Sequence, residues 1–297
     1  MVGRFAPSPS GRMHLGNVFS AMMAWLSVRS QGGEMILRIE DLDPDRCRAE
    51  YAETLKDDLL WLGLDWDREQ IPQSLRTEAY AEVFGDLKAR DLVYPCYCTR
   101  TELHAASAPH ASDGRVLYAG TCRNLSEAEK AAKTKAPAWR LKVPDAEVTF
   151  TDRLQGVYTE NLQNDCGDFI VRRADGVYAY QLAVVTDDAE GGVTEVVRGM
   201  DLLSSTPRQL YLYELLDKKP PKFIHVPLLV APDGRRLSKR EKDLDMGALR
   251  KLHTAEEILG GLSYLAGLTE RYEPMSAAEL AKVFDWKNVK RDFIVME

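Results

Sequence analysis

Residues 2 to 41 run through a short apolar stretch (VGRFA), a turn broken by proline and glycine (PSPSGRMHLG), a helical run (NVFSAMMAWLSVRS) and a second apolar stretch (EMILRIED). Two strands joined through a helix lie in parallel, with a right-handed crossover. The chain is therefore expected to be α/β, built on a parallel sheet. The expected elements are a strand from Val2 to Ala6, a helix from about Asn17 to Ser30, and a strand over EMILRIED that buries Met35, Leu37 and Ile39 on one face. Tyr51, Leu55, Leu59 and Leu62 recur at helical spacing, and RTEAYAEVFGDLKARD predicts a third helix.

The texture changes at VYPCYC. From about Val93 to Asp168 the pattern is short strands, loops and one polar helix (LSEAEKAAKTK), which reads as an insertion. The α/β pattern resumes with DFIVRRADGVYAY, a hairpin turning at Asp175-Gly176. A helix (QLAVVTDDAE), a strand (TEVVRG), a helix (TPRQLYLYELLD), and an apolar strand followed by a basic loop (KFIHVPLLVAPDGRRLSKREK) come next. Beyond Asp245 the pattern is helical to the end. The expected division is 1–92 and 169–244 for the two halves of one α/β domain, 93–168 for the insertion and 245–297 for a helical C-terminal module.

No apolar run is long enough to span a bilayer, and Arg4 and the early prolines break any leader pattern, so the expectation is a cytoplasmic protein without a membrane partner. The net charge of −7 disfavours nucleic acid as a partner only on average, because binding depends on local patches. Of the five cysteines, Cys96, Cys98 and Cys122 cluster while Cys47 and Cys166 stand alone. That is no disulfide framework; it suggests a metal site. Three thiolates suit tetrahedral zinc, which takes a fourth ligand, and on chemistry alone His104 or His110 could supply it.

A strand-to-helix turn rich in glycine and proline exposes backbone N–H groups, and these seat phosphate. The stretch lacks the Gly-Lys-Ser/Thr ending of a P-loop. His14 and Asn17 flank Gly16 at the first helical turn, where they could donate to phosphate oxygens or simply cap the helix. A second feature joins them. Arg235, Arg236, Lys239, Arg240 and Lys242 crowd eight residues after the last expected strand, with one acid, Glu241. Ligands of open α/β sheets collect at the carboxyl ends of strands, so both loops could meet over one triphosphate.

FAPSPSGRMHLGN resembles the first signature of the class I aminoacyl-tRNA synthetases, with Asn17 where that family has a second histidine. Arg236-Leu237-Ser238-Lys239-Arg240 resembles the second, with arginine at both ends. RFAPSPSG, LRIEDLD, YAYQLAVVTDD and VVRGMDLL narrow the resemblance to the glutamyl branch, over about residues 2 to 245. The resemblance implies a Rossmann-like catalytic domain with a zinc-bearing insertion. The chain runs only about fifty residues past its basic loop. In this it resembles the shortened branch that glutamylates queuosine in the anticodon of tRNA(Asp). The alternatives are a short enzyme charging the 3′ end of tRNA(Glu) and a silent tRNA-binding paralogue.

The resemblance also implies roles. Glutamate presents two carboxylates and an ammonium, and Arg4 and Arg198 are the candidate cations, since an arginine fork binds carboxylate in bidentate fashion. Glu40 is the candidate partner for the ammonium, although a salt bridge to Arg38 or Arg46 would also explain it. Phe5, Ala6, Pro7, Ser8 and Tyr180 complete the expected glutamate site, with Tyr180 equally readable as a core aromatic. ATP, carried with Mg²⁺, is assigned to His14, Gly16, Asn17, Ser238 and Lys239, with His14, Asn17 and Lys239 as the catalytic set. The family's Cys-x-Cys…Tyr-x-x-x-Cys pattern points to Tyr118 as the fourth ligand of one structural zinc, beside Cys96, Cys98 and Cys122. The expected partners are ATP, L-glutamate and tRNA(Asp) bearing queuosine, taken up by a monomer.

Overall fold

A computed structural model describes residues 1–99, 101–102, 117–235 and 245–296. In chain order the first unit is β1 (Val2–Phe5), α1 (Leu15–Arg29), β2 (Glu34–Leu37), α2 (Ala49–Trp61), β3 (Arg68–Glu69) and α3 (Thr77–Ala89). Then come β4 (Val93–Cys96), α4 (Glu127–Ala131), β5 (Ala138–Leu141), β6 (Glu147–Asp152), β7 (Gly156–Asn161) and β8 (Phe169–Arg172). The last unit is α5 (Tyr180–Glu190), β9 (Glu195–Gly199), α6 (Thr206–Leu215), β10 (Lys222–Val226), β11 (Leu229–Val230), α7 (Met246–Leu252), α8 (Ala255–Ala266), α9 (Ala277–Val283) and β12 (Ile294–Val295).

Five strands form one parallel sheet in the order β10-β9-β1-β2-β3. The chain leaves β1 toward β2 on one side and returns through β9 on the other, so β1 is the point where the winding reverses. β2 buries Met35 and Leu37, as the pattern predicts, but Ile36 on its other face and Arg38 just past its end are buried as well. Helices cover both faces of a parallel sheet, so alternation in the strand marks no solvent side. α1 starts at Leu15, two residues before the expected point, because the His14-Asn17 pair caps it.

α1 is buried nearly all round. One side lies on the sheet, so closely that a Cβ at Gly3 would come within 2.2 Å of Val28 Cγ2. The other side meets the C-terminal helices: Leu262, Leu280 and Trp286 share its core cluster, and the Trp286 indole N–H donates to Ser27 Oγ at 3.0 Å. A helix that is apolar around its circumference requires such a second layer. The C-terminal module is thus part of the main core. It departs from the expected all-helical pattern at its end, where β12 pairs in parallel with β11.

The smaller antiparallel sheet has the order β4-β5-β8, and β6 and β7 form a separate hairpin. Asp168, nearly fully buried, ties this region together. It accepts from Tyr94 Oη at 2.7 Å, Val143 N–H at 2.8 Å and Arg123 Nη1 at 3.2 Å. β8 continues into the hairpin turn expected at Asp175-Gly176, closed by Arg173 N–H to Val177 O at 2.7 Å. Among the described residues, no helix is long and apolar enough to cross a membrane.

Candidate active site

The turn after β1 keeps its shape through backbone bonds that prolong the β1–β2 ladder. Arg38 N–H donates to Phe5 O and Glu40 N–H to Pro7 O, each at 3.0 Å. The turn, the end of β2 and the ends of β9 and β10 together border a cleft of about 530 Å³ at the carboxyl ends of the strands. It lies over the reversal at β1, where open α/β sheets bind ligands. Arg4, Phe5, Ala6, Pro7, Ser8, His14, Gly16, Asn17, Glu40, Tyr180 and Arg198 all line it. Ser10, Ser20 and Asp201 line it too, in addition to the residues expected from the sequence. Ser238 and Lys239, with the rest of Arg236 to Lys242, lie outside the described residues.

His14 is the N-cap of α1. Its Nδ1 accepts from Gly16 N–H at 3.1 Å, while Asn17 Oδ1 accepts from His14 N–H at 3.2 Å. Both residues therefore serve as caps, the structural role their position allows. Gly16 has a reason beyond phosphate approach, since a Cβ there would sit 3.0 Å from the His14 imidazole. His14 also forms an antiparallel bridge with Asp245, and Met246 N–H donates to Met13 O at 2.9 Å. α7 is held near this turn by Asp58, which is fully buried and receives Arg12 Nη2 at 2.9 Å and Arg250 Nη1 at 2.8 Å. The chain that follows β11 thus re-enters beside the cap of α1.

Arg4 and Arg198 are each 5% exposed. Arg4 Nε makes no hydrogen bond and lies 3.6 Å from Asp188 Oδ1. Arg198 is held by neutral acceptors: His225 Nε2 at 3.0 Å, Gln209 Oε1 at 2.9 Å and Thr206 Oγ1 at 2.8 Å. Among the described residues no carboxylate pairs with it directly. Burial pulls its guanidinium below the ordinary range, against the pull of Tyr180, and nearby Arg4 adds to the fall.

Glu40 accepts from Arg38 Nη2 at 3.1 Å, the salt bridge that the sequence offered as the plain explanation. Burial still pushes its carboxyl up, against Arg38 and Arg4. Arg38 is fully buried and donates to Asp188 Oδ1 at 2.6 Å, so one acid steadies both Arg38 and Arg4. Burial also raises the Tyr180 phenol, which lies among Arg198, Glu40 and Arg4. An acid whose charge is disfavoured and a cation whose charge is disfavoured share one cleft, and a zwitterion would supply a counter-charge to each. A second hollow of about 380 Å³ opens from the same wall, sharing Ser8, Ser10, Glu40 and Tyr180 and reaching Arg46 and Arg173.

Cys96, at the end of β4, brings its sulfur within 4.8 Å of those of Cys98 and Cys122, and the three sulfurs lie within that distance of one another, a cluster that could hold a metal ion such as zinc. Cys98 and Cys122 Sγ are 3.6 Å apart. Tetrahedral Zn–S bonds of about 2.3 Å would set sulfurs about 3.8 Å apart, so the donor set fits. Tyr118 Oη is 3.5 Å from Cys96 Sγ and 3.9 Å from Cys98 Sγ. His104 and His110 lie outside the described residues. The Arg140 guanidinium stacks 3.7 Å over the Tyr118 ring, with its Nε 3.3 Å from Cys96 Sγ, so a cation sits against the sulfur cluster.

The profile of the class I tRNA synthetases (E and Q), catalytic domain, matches residues 1–296. A Glutamyl-Q tRNA(Asp) synthetase of Nitratidesulfovibrio vulgaris is 50% identical, covering 92% of this chain and 88% of that protein. One of Symbiobacterium thermophilum is 47% identical, covering 98% and 94%. The crystal structure of a glutamate tRNA ligase from Elizabethkingia meningosepticum in complex with its amino acid superposes with a TM-score of 0.85 at 27% identity, over all of this chain and 67% of that one.

Proposed function

The chain belongs to the class I tRNA synthetases for glutamate and glutamine, and from that membership we propose that it activates L-glutamate with ATP and transfers the glutamyl group to queuosine in the anticodon of tRNA(Asp). The observation that carries the reading is the cleft lined by Arg198 and Glu40, two buried side chains of opposite charge. Arg198 and Arg4 would take carboxylates of glutamate and Glu40 its ammonium. Ser8, Tyr180 and the backbone of Phe5, Ala6 and Pro7 would complete the seat. The names of the relatives at 47–50% identity support tRNA(Asp) as the acceptor.

In the first step an α-carboxylate oxygen attacks the α-phosphorus of ATP. The bond to the bridging oxygen breaks and pyrophosphate leaves with the electron pair. Little covalent work falls to the protein, and positioning with charge stabilisation does most of it. His14, Gly16 and Asn17 would present the start of α1 to the phosphates, and Ser238 and Lys239 would meet the leaving pyrophosphate, which Mg²⁺ accompanies. In the second step a ring hydroxyl of queuosine attacks the activated carbonyl, AMP leaves and the hydroxyl proton is released. The second hollow, sharing a wall with the glutamate seat, is the proposed entry for that nucleoside. Residues 1–92 with 169–244 would form the catalytic domain, 93–168 the insertion and 245–297 the C-terminal module, acting in the cytoplasm.

We further propose that Cys96, Cys98, Cys122 and Tyr118 hold one structural zinc, which when bound pins a loop-rich region of small core. Purified protein is expected to carry about one equivalent of zinc, as one tetrahedral site requires. Cys98→Ser should lose it while glutamate-dependent ATP–pyrophosphate exchange persists. Elemental analysis of both proteins checks this, and metal-free wild-type protein would reduce the thiols to packing.

The acceptor is tested by offering tRNA(Asp) with queuosine, and the same tRNA with guanosine at that position, together with ATP and radiolabelled glutamate. Label should enter only the queuosine form and reside in the anticodon loop. Equal labelling, or label on the 3′ adenosine, would move the enzyme to charging the tRNA end.

A further inference from the structure

Arg198 stands out because a buried cation is usually met by a carboxylate, and here the carboxylate is one residue removed. β9 and β10 run in parallel with His225 beside Arg198 in register, so the two side chains share a face. Arg198 Nε–H donates to His225 Nε2 at 3.0 Å, and on the far side of the fully buried imidazole Nδ1 lies 2.7 Å from Asp152 Oδ2. We propose that Asp152 and His225 are positioning residues for amino-acid binding: the carboxylate sets the imidazole tautomer, and the imidazole sets the guanidinium. This rests on the reading that Arg198 takes a carboxylate of glutamate.

The donor inventory allows one arrangement. A guanidinium can only donate, so His225 Nε2 must be the acceptor and carry no proton. Nδ1 then carries the proton and donates to Asp152. That carboxylate is filled with donors: it also receives the backbone N–H groups of His225 at 3.0 Å, Leu154 at 2.9 Å and Gln155 at 2.8 Å. Although burial alone would raise it, the His225 and backbone hydrogen bonds hold the Asp152 carboxyl below its ordinary range. Burial likewise keeps His225 below its own, despite the bond to Asp152. An ionised acid beside a neutral imidazole is the state that the geometry needs.

The rest of the fork is fixed by Gln209 and Thr206, both uncharged. The guanidinium is therefore oriented without being neutralised, and its charge is left for the substrate. A carboxylate in direct contact would orient it equally well but would compete with glutamate. Asp152 ends the first strand of the β6–β7 hairpin, which docks on β10 through Arg153 N–H to Phe223 O at 3.3 Å and Gln155 Nε2 to His225 O at 2.8 Å. The inserted region thereby reaches the amino-acid seat.

Two substitutions separate orientation from packing. His225→Asn places an amide N–H near Nδ1, keeping the bond to Asp152 and losing the acceptor for Arg198. His225→Gln reverses this. ATP–pyrophosphate exchange is measured over a range of glutamate and of ATP. His225→Asn should raise the KM for glutamate about ten- to a hundredfold, the usual effect of losing a hydrogen bond to a charged group, with kcat and the KM for ATP within about twofold. His225→Gln should retain more of the glutamate affinity than His225→Asn. An unchanged glutamate KM in His225→Asn, or equal losses toward glutamate and ATP, would overturn the role. Nitrogen NMR of the wild-type imidazole reads the arrangement without catalysis: an unprotonated Nε2 is expected, and a protonated one refutes the proposal even where a variant does not fold. Wild-type protein that shows this tautomer yet no glutamate-dependent exchange would sink the functional reading and leave the relay intact.

Discussion

Lys239→Ala is expected to slow glutamate-dependent ATP–pyrophosphate exchange by about 10²–10³ while glutamate affinity stays close to that of the wild type. The charge that Lys239 is proposed to meet develops on the leaving pyrophosphate, so its loss acts on the transition state and not on the amino acid. Lys239 lies outside the described residues, but the chain on both sides of its segment borders the cleft. Leu228 and Leu229 line the cleft before it, and Asp245 bridges His14 after it. Exchange kinetics with a parallel glutamate titration separate the two quantities. An exchange rate equal to the wild type would exclude the role, and a loss confined to glutamate affinity would place Lys239 with the amino acid instead.

Arg198→Ala should act on the other substrate. The guanidinium is buried with only neutral direct partners, so a glutamate carboxylate bound there forms a desolvated, hydrogen-bonded charge pair. Truncating one member of such a pair typically costs about 2–5 kcal/mol. Glutamate kcat/KM is therefore expected to fall by roughly 30-fold to several-thousand-fold, with each 1.36 kcal/mol worth about tenfold. Thermal unfolding gives an independent check. Glutamate at about 100 times its Kd should stabilise the wild type by about 2.7 kcal/mol through mass action, and the variant at the same concentration should show a shift of about 0.9 kcal/mol at most, falling toward zero at the upper end of the expected loss. A variant that unfolds like the wild type and keeps the glutamate-dependent shift would remove Arg198 from the seat.

Some readings of the cleft were open to the sequence and others were not. Arg4, Glu40 and Arg198 are singled out by the resemblance to the glutamyl branch, and their places near strand ends fit it, since strand ends gather on one rim of a parallel sheet. The cysteines are legible because their short separation makes a shared ion plausible. The Arg38–Asp188 pair cannot be read from the sequence. Asp188 meets Arg38 across 150 residues of chain, and no periodicity encodes such a pairing. Asp152 and His225 are likewise 73 residues apart and belong to the β6–β7 hairpin and to β10. His14 carried two readings in the sequence, and its geometry makes it a helix cap at the edge of the cleft.

The sequence by itself determined the parallel α/β class, the order of the main elements, the two signature segments and the cysteine cluster, because these follow from local spacing and backbone chemistry. Tertiary structure alone decided which charges meet and which are left unmet. It buried both faces of β2, closed the C-terminal module over α1 and brought β12 back to β11. It also set Arg198 against an imidazole instead of a carboxylate. The reason is physical: a strand or a helix can be read from its own residues, whereas the ionisation of a buried group depends on every dipole and charge that folding packs around it.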